Sequence, residues 1–230
     1  MGEMTTFPAN GRTAEGYLAR PSSGRGPGVI VLQEWWGLVD HIKELTDRFA
    51  REGFVALAPD LYHGERTKSP DQAGKLLMAL NIAETAKDLR GAAAYLRSLP
   101  DVQPKKVAAV GFCMGGQLAL FAATAHPDVI DAAVDFYGIH PKVNPDVSQL
   151  SGPVLAHFGR RDKSVPESAA NALVERIKSA GKTVEAHFYD ADHAFFNDTR
   201  PEVYDPKSAE LAWQRTLAFL RKASGQGKRS

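Results

Sequence analysis

Short apolar runs recur along the chain, separated by stretches whose apolar residues fall at helical spacing. Gly28-Val-Ile-Val-Leu-Gln33, Phe54-Val-Ala-Leu-Ala58, Val107-Ala-Ala-Val110, Ile130 to Tyr137 and Pro153-Val-Leu-Ala-His-Phe158 are nearly continuous, as strands buried on both faces must be. Glu15 to Arg20 reads as an earlier strand near an edge, and Thr183 to Tyr189 as a last, alternating one. Between them, Leu38, Ile42, Leu45 and Phe49 stripe one helix, with Asp40 as its N-cap and Gly53 as its stop. A single helical region is predicted from about Asp71 to Leu99, striped by Ala86, Leu89, Ala93 and Leu96 and ended by Pro100. Further helices follow the run at Val107, the strand at Pro153 (Ala170, Leu173, Val174, Ile177, then Gly181) and the last strand (Ala209, Trp213, Thr216, Leu217, Leu220). Strands alternating with helices predict an α/β fold: a mainly parallel sheet covered on both faces. No linker divides the chain, so one domain is expected over residues 1–230, with flexible tails at about 1–10 and 223–230.

Composition narrows the classes of function. A chain of 230 residues supports one sizeable core. The net charge is +1, and the one short basic run is the tail Gly227-Lys-Arg-Ser230, so nucleic acid is not an expected partner. A single cysteine excludes an internal disulfide and fits a reducing, cytoplasmic setting. The opening Met1-Gly-Glu-Met-Thr-Thr-Phe-Pro8 lacks an apolar core, so no signal peptide is expected. Gly2 with Thr6 fits the loose acylation pattern, which is short enough to arise by chance. No apolar run approaches membrane-spanning length. The seven histidines are scattered without metal-ligand spacing, so neither a metal nor another cofactor is expected.

The chemistry gathers at Val107-Ala-Ala-Val-Gly-Phe-Cys-Met-Gly-Gly-Gln117. This is a strand, a turn with Cys113 at its tip, and a helix start: the G-x-nucleophile-x-G elbow with cysteine as nucleophile. The chain doubles back on itself there, so positions two before and two after the nucleophile have no room for a side chain. The following helix aims its N-terminus at the sulfur, which favours a thiolate and offers the Met114 N–H to an oxyanion. Against this stands a glycine-rich turn around a buried structural cysteine.

A thiol nucleophile needs a base and a group to orient the base. On such a sheet the three follow in the order nucleophile, acid, histidine, and Cys113, Asp162 and His193 obey it. Asp135, Asp190 and Asp192 are rival acids; Asp162 is preferred because Gly159-Arg-Arg-Asp162 directly follows a buried strand. Glu34, beside Trp35 and Trp36 and just after another strand, is a carboxylate placed to exchange a proton with Cys113, and Trp35 N–H is the second oxyanion donor. Glu34, Cys113, Asp162 and His193 each follow a strand, so one sheet would gather all four along one edge.

Five stretches resemble the dienelactone hydrolase (carboxymethylenebutenolidase-like) family of α/β-hydrolases: Gln33-Glu-Trp-Trp-Gly37, Pro59-Asp-Leu-Tyr62, Gly111-Phe-Cys-Met-Gly-Gly116, Gly159-Arg-Arg-Asp162 and Asp192-His-Ala-Phe195. The resemblance implies an α/β-hydrolase fold and a Cys113–His193–Asp162 triad acting on a small enol-lactone or activated ester. It also implies that Glu34 holds the resting thiol neutral. Members that cleave dienelactone grip its carboxylate with arginines, at places where this chain has His63-Gly64 and Asn197; Arg66 and Arg200 lie nearby. Trp36, Tyr62, Arg66, Phe195, Phe196, Asn197 and Arg200 are thus candidate substrate contacts, the aromatic ones being equally good candidates for the core. Other small esters or thioesters, and a non-catalytic reactive thiol, are the rival functions. A monomer or weak dimer is expected.

Overall fold

A computed structural model describes residues 1–138 and 140–226. The basic tail Gly227–Ser230 lies outside the described residues. Eight strands, β1 (Glu3–Ala9), β2 (Arg12–Ala19), β3 (Gly26–Leu32), β4 (Val55–Pro59), β5 (Val102–Phe112), β6 (Ala132–Phe136), β7 (Val154–Gly159) and β8 (Val184–Tyr189), form one sheet in the order β1-β2-β4-β3-β5-β6-β7-β8. β1 and β2 pair antiparallel, as do β2 and β4; every other neighbour is parallel. The helices are α1 (Asp40–Arg51), α2 (Pro70–Ala79), α3 (Ile82–Ser98), α4 (Met114–Ala125), α5 (Glu167–Ser179) and α6 (Pro206–Ala223).

Strand alternation sorts the core into two layers. Val29 and Val31 pack with α1 and α6, through residues such as Ile42, Phe49, Trp213 and Leu217. Ile30 and Leu32 point the other way, toward Leu89, Leu96, Leu118 and Leu173 of α3, α4 and α5. Both layers are built of buried apolar side chains, which is why the central strands read as unbroken apolar runs. Among the described residues no helix is long and apolar enough to cross a membrane.

Three expectations need correction. Residues 1–10 are not a free tail: β1 pairs with β2 from Glu3↔Leu18 to Ala9↔Arg12, and its inward Phe7 and Ala9 are buried. The hairpin turns at Asn10-Gly11, both at positive φ (53° and 70°), the backbone that an Asn-Gly pair accommodates. The helical region of 71–99 is two helices. Asn81 breaks it and caps α3, its side chain accepting from the N–H groups of Ala83 and Glu84. Finally, α1 is capped by Val39, and Asp40 stands in its first turn, where its charge still favours the helix.

Candidate active site

The elbow follows from steric demand. Cys113 sits at φ 53°, ψ −121°, a strained conformation for a residue with a Cβ. A methyl group on Gly111 would lie 1.8 Å from the Gly115 carbonyl oxygen, and one on Gly115 would lie 2.5 Å from that of Leu32. No side chain fits at either position, and the turn closes only because both lack one. α4 begins at the next residue, Met114. Neither Met114 N–H nor Trp35 N–H donates to another group among the described residues.

The parallel strands end along one edge, and the four expected groups meet there. His193 Nε2 lies 3.3 Å from Cys113 Sγ, and its Nδ1 lies 2.7 Å from Asp162 Oδ2. The other oxygen of Asp162 accepts from Ser164 N–H (2.7 Å) and Val165 N–H (2.8 Å), which fixes the carboxylate. The Asp162 side chain is fully buried. Burial opposes charge on His193, but its bonds to Asp162 and Cys113, and their negative charges, outweigh that and push its pKa up to about 10. The ring is therefore held as imidazolium beside the sulfur.

The rival acids are engaged elsewhere. Asp190 and Asp192 pair with Arg161. Asp135 lies beneath the elbow, where Oδ1 accepts from Gly138 N–H at 2.8 Å. Burial raises its pKa well above the carboxylate range.

Glu34 is 2 % exposed and shares a cavity of about 220 Å³ with Cys113, Trp35, Trp36, Met114 and His193. Its hydrogen-bond partner is Asn197, not the thiol: Asn197 Nδ2 donates to Glu34 Oε2 at 2.8 Å. The orientation of that amide is set by Thr199, whose N–H and Oγ1 both donate to Asn197 Oδ1. The expected pairing of Glu34 with a neutral resting thiol thus differs from the arrangement found, with sulfur on His193 and carboxylate on Asn197.

The remaining candidates divide. Trp36 and Arg200 line the cavity with Cys113. Arg66 and Asn197 line a second, adjoining chamber. Phe195 and Phe196 do not reach the cavity. They are buried core, packed on Tyr137 and Tyr189, and on Phe112 and Phe136, respectively. Tyr62 is buried with its hydroxyl donating to Met114 Sδ at 3.3 Å, so it braces the elbow from behind. His63 is exposed and faces Arg12 and Asp88, away from the thiol.

Two residues escaped the reading of the sequence. Tyr137, at φ 46°, packs its ring edge-on to His193, 5.1 Å between centroids. Its hydroxyl is buried with no hydrogen-bond partner among the described residues, and burial raises its pKa, so it stays a donor. His140 is 4 % exposed in the cavity wall beside Leu77; its Nδ1 accepts from Lys142 N–H, leaving Nε2 to carry the proton. Tyr137 directly follows β6, so the strand-end rule that flagged the other four applied to it as well. His140 had no such signal.

These features agree with the comparisons to known proteins. The chain is 39% identical over 230 residues to protein usf of Aquifex pyrophilus, covering 96% of this chain and 98% of that protein. It is 35% identical over 228 residues to a protein of Aquifex aeolicus provisionally named a carboxymethylenebutenolidase, with 96% and 98% coverage. A crystal structure from Klebsiella pneumoniae, provisionally named a dienelactone hydrolase, superposes with a TM-score of 0.83 at 32% identity, over 95% of this chain and 97% of that one. The sequence profile of the dienelactone hydrolase family matches residues 14–224. The chain therefore belongs to the dienelactone hydrolase family and has its α/β-hydrolase fold.

Proposed function

We propose that this member of a family of carboxylic ester hydrolases opens small enol-lactones or activated esters with Cys113 as nucleophile, His193 as general acid and base, and Asp162 as the group that orients His193. The observation that carries this reading is the continuous chain Sγ···Nε2 (3.3 Å) and Nδ1···Oδ2 (2.7 Å) at the wall of a cavity. The thiolate adds to the carbonyl carbon, and the carbonyl π pair moves to oxygen, where Trp35 N–H and Met114 N–H receive it. Collapse of the tetrahedral adduct expels the enolate or alkoxide, which takes the proton from His193 Nε2. Neutral His193 then removes a proton from water as the water attacks the thioester. A second collapse expels the sulfur as thiolate, and the acid product is released. No cofactor enters these steps. Glu34 is the accessory carboxylate, exchanging a proton with Cys113 once it leaves Asn197.

A second substrate range, other small esters and thioesters, is favoured by Asn197. It occupies a place where the family resemblance calls for a carboxylate-gripping arginine, and its amide is committed to Glu34. Turnover of 4-nitrophenyl acetate and of cis- and trans-dienelactone tests the reading and ranks the substrates. Cys113→Ala is expected to abolish turnover while the thermal midpoint stays near that of wild type. Turnover retained by that variant overturns the nucleophile assignment.

A further inference from the structure

The sheet has two edges, and the sequence treats them differently. The edge strand β1 carries Pro8, whose nitrogen has no hydrogen to offer a further strand. The other edge strand, β8, contains no proline, glycine or lysine and pairs only with β7. Only its last residue, Tyr189, is buried. Among the described residues, no helix end or loop takes up the backbone groups of Val184, Ala186 or Phe188. An open, regular edge of this kind is one that proteins normally guard, because it is a template for another strand.

The ladder shows which groups face outward. Val154 N–H donates to the Thr183 carbonyl at 3.0 Å, and Arg160 N–H to the Tyr189 carbonyl at 2.7 Å. The odd-numbered residues thus turn their backbone toward β7. Alternation leaves the N–H and C=O of Val184, Ala186 and Phe188 pointing away from the sheet. The side chains alternate too. Those of Val184, Ala186 and Phe188 pack on the layer that holds α5. Glu185 and His187 share the opposite face, with His187 Nε2 2.7 Å from Glu185 Oε1.

We propose that β8 is an interface for a second copy of this chain, the two β8 strands running antiparallel about a two-fold axis at Ala186 and joining the two sheets into one. Two-fold symmetry pairs residue i with j and j with i. With the axis at Ala186, Val184 exchanges both backbone hydrogen bonds with Phe188 of the second copy, and Ala186 does so with its own counterpart. Every outward group of the strand is then used. The closer-spaced pair between them sets Glu185 opposite His187 of the second copy, on both sides of the axis. Just beyond the strand, the same register sets Lys182 opposite Asp190. On the other face, Val184 meets Phe188. An axis at His187 would instead set that residue against itself and Glu185 against Tyr189, so charge selects the register centred on Ala186. Strand direction reverses across the axis, and the two catalytic edges face opposite ways.

Sedimentation equilibrium of the full chain tests this, with circular dichroism to confirm that each variant is folded. Wild type should show a monomer–dimer equilibrium in the micromolar range, as a small, non-obligate interface gives. Ala186→Pro removes an outward N–H and spares the β7 ladder, since proline is tolerated where its nitrogen faces solvent. It should weaken the dimer by about tenfold or more. The register is tested by charge. His187→Glu sets carboxylate against carboxylate, and Glu185→Lys sets an ammonium against imidazole, so each variant alone should dimerise less than wild type. Mixed in equal amounts they should form heterodimers, because every cross-strand pair then has one carboxylate. The contact between Glu185 and His187 within one chain gains nothing from mixing, so it cannot produce this result. Should Ala186→Pro fail to fold, the mixing experiment decides. A wild type that stays monomeric up to about 1 mM, a dimer that these substitutions leave unchanged, or a mixture without preference for heterodimers overturns the proposal.

Discussion

Asp162→Asn isolates what the buried acid does, because the geometry dictates how the new amide must sit. Asp162 Oδ1 accepts from two backbone N–H groups, those of Ser164 and Val165, at 2.7 and 2.8 Å. An asparagine must present its oxygen to both donors, since its NH₂ there would set donors against donors and leave two buried N–H groups unpaired, at about 1–3 kcal/mol each. The NH₂ therefore faces His193 Nδ1. That nitrogen must then accept, so the ring loses its Nδ1 proton and, once neutral, keeps its proton on Nε2, with no lone pair toward Cys113 or an attacking water. The fold survives the change, but the imidazole is held in the wrong tautomer and loses the adjacent negative charge that helps hold its pKa near 10. Where this substitution has the same consequence in Ser-His-Asp hydrolases, kcat falls about 10⁴-fold, close to 5.5 kcal/mol in the barrier. A loss of about 10³ to 10⁴ in kcat/KM is expected here for 4-nitrophenyl acetate, with a thermal midpoint within a few degrees of wild type. Activity within tenfold of wild type would show that His193 does not depend on Asp162, and the relay would have to be abandoned.

Three further outcomes follow from the fold and its titrating groups. Gly111→Ala places a methyl 1.8 Å from the Gly115 carbonyl, so it should destabilise by about 1–3 kcal/mol or more and remove esterase activity, checked by thermal denaturation and ester hydrolysis together. His193 has a pKa raised to about 10, so its stabilising contribution is complete below the unfolded value near 6.5 and fades as pH rises toward 10; the Tm difference between wild type and His193→Gln should shrink over that window. His157 is the opposite case. It is fully buried between Tyr189 Oη (2.9 Å) and Thr216 Oγ1 (3.0 Å), and burial lowers its pKa well below 6.5. Its stabilisation is present above pH 6.5 and lost as pH falls, so wild type should lose more Tm than His157→Gln between pH 7 and pH 5.

How much of this was legible in the sequence depended on whether a feature is enforced locally. The elbow was readable because its steric demand writes glycine at 111 and 115, whatever the rest of the fold does. The parallel sheet was readable from runs buried on both faces, and its strand ends located Glu34, Cys113, Asp162 and His193 on one edge. The choice among acids was partly a tertiary matter: Asp190 and Asp192 are nearer His193 in sequence, but Arg161, 29 and 31 residues before them, draws them off. The core position of Phe195 and Phe196 was similarly undecidable from their neighbours alone. β1 went unread because only Phe7 and Ala9 mark its inner face, although Asn10-Gly11 announced the hairpin. Asn81 with Glu84 three residues on likewise signalled a helix start inside a stretch read as continuous. Nothing local tells Asn197 that its partner is Glu34, 163 residues earlier.

That last pairing bears on when Glu34 acts. The Asn197 amide N–H donates to Glu34 Oε2 without bringing a positive charge, in a wall where Glu34 is 2 % exposed. On the proposed mechanism the nucleophile, a thiolate 3.3 Å from His193 Nε2, faces the same cavity. On that mechanism a thiolate and a carboxylate in a low-dielectric wall would repel, which favours the Asn197 position of Glu34 before attack. Attack on a carbonyl ends the repulsion at its source: sulfur becomes neutral as it bonds to carbon, and the charge passes to an oxygen held by Trp35 and Met114. On the proposed mechanism the electrostatic incentive for Glu34 to stay away from Cys113 is therefore strongest before attack and weakest in the acyl-enzyme.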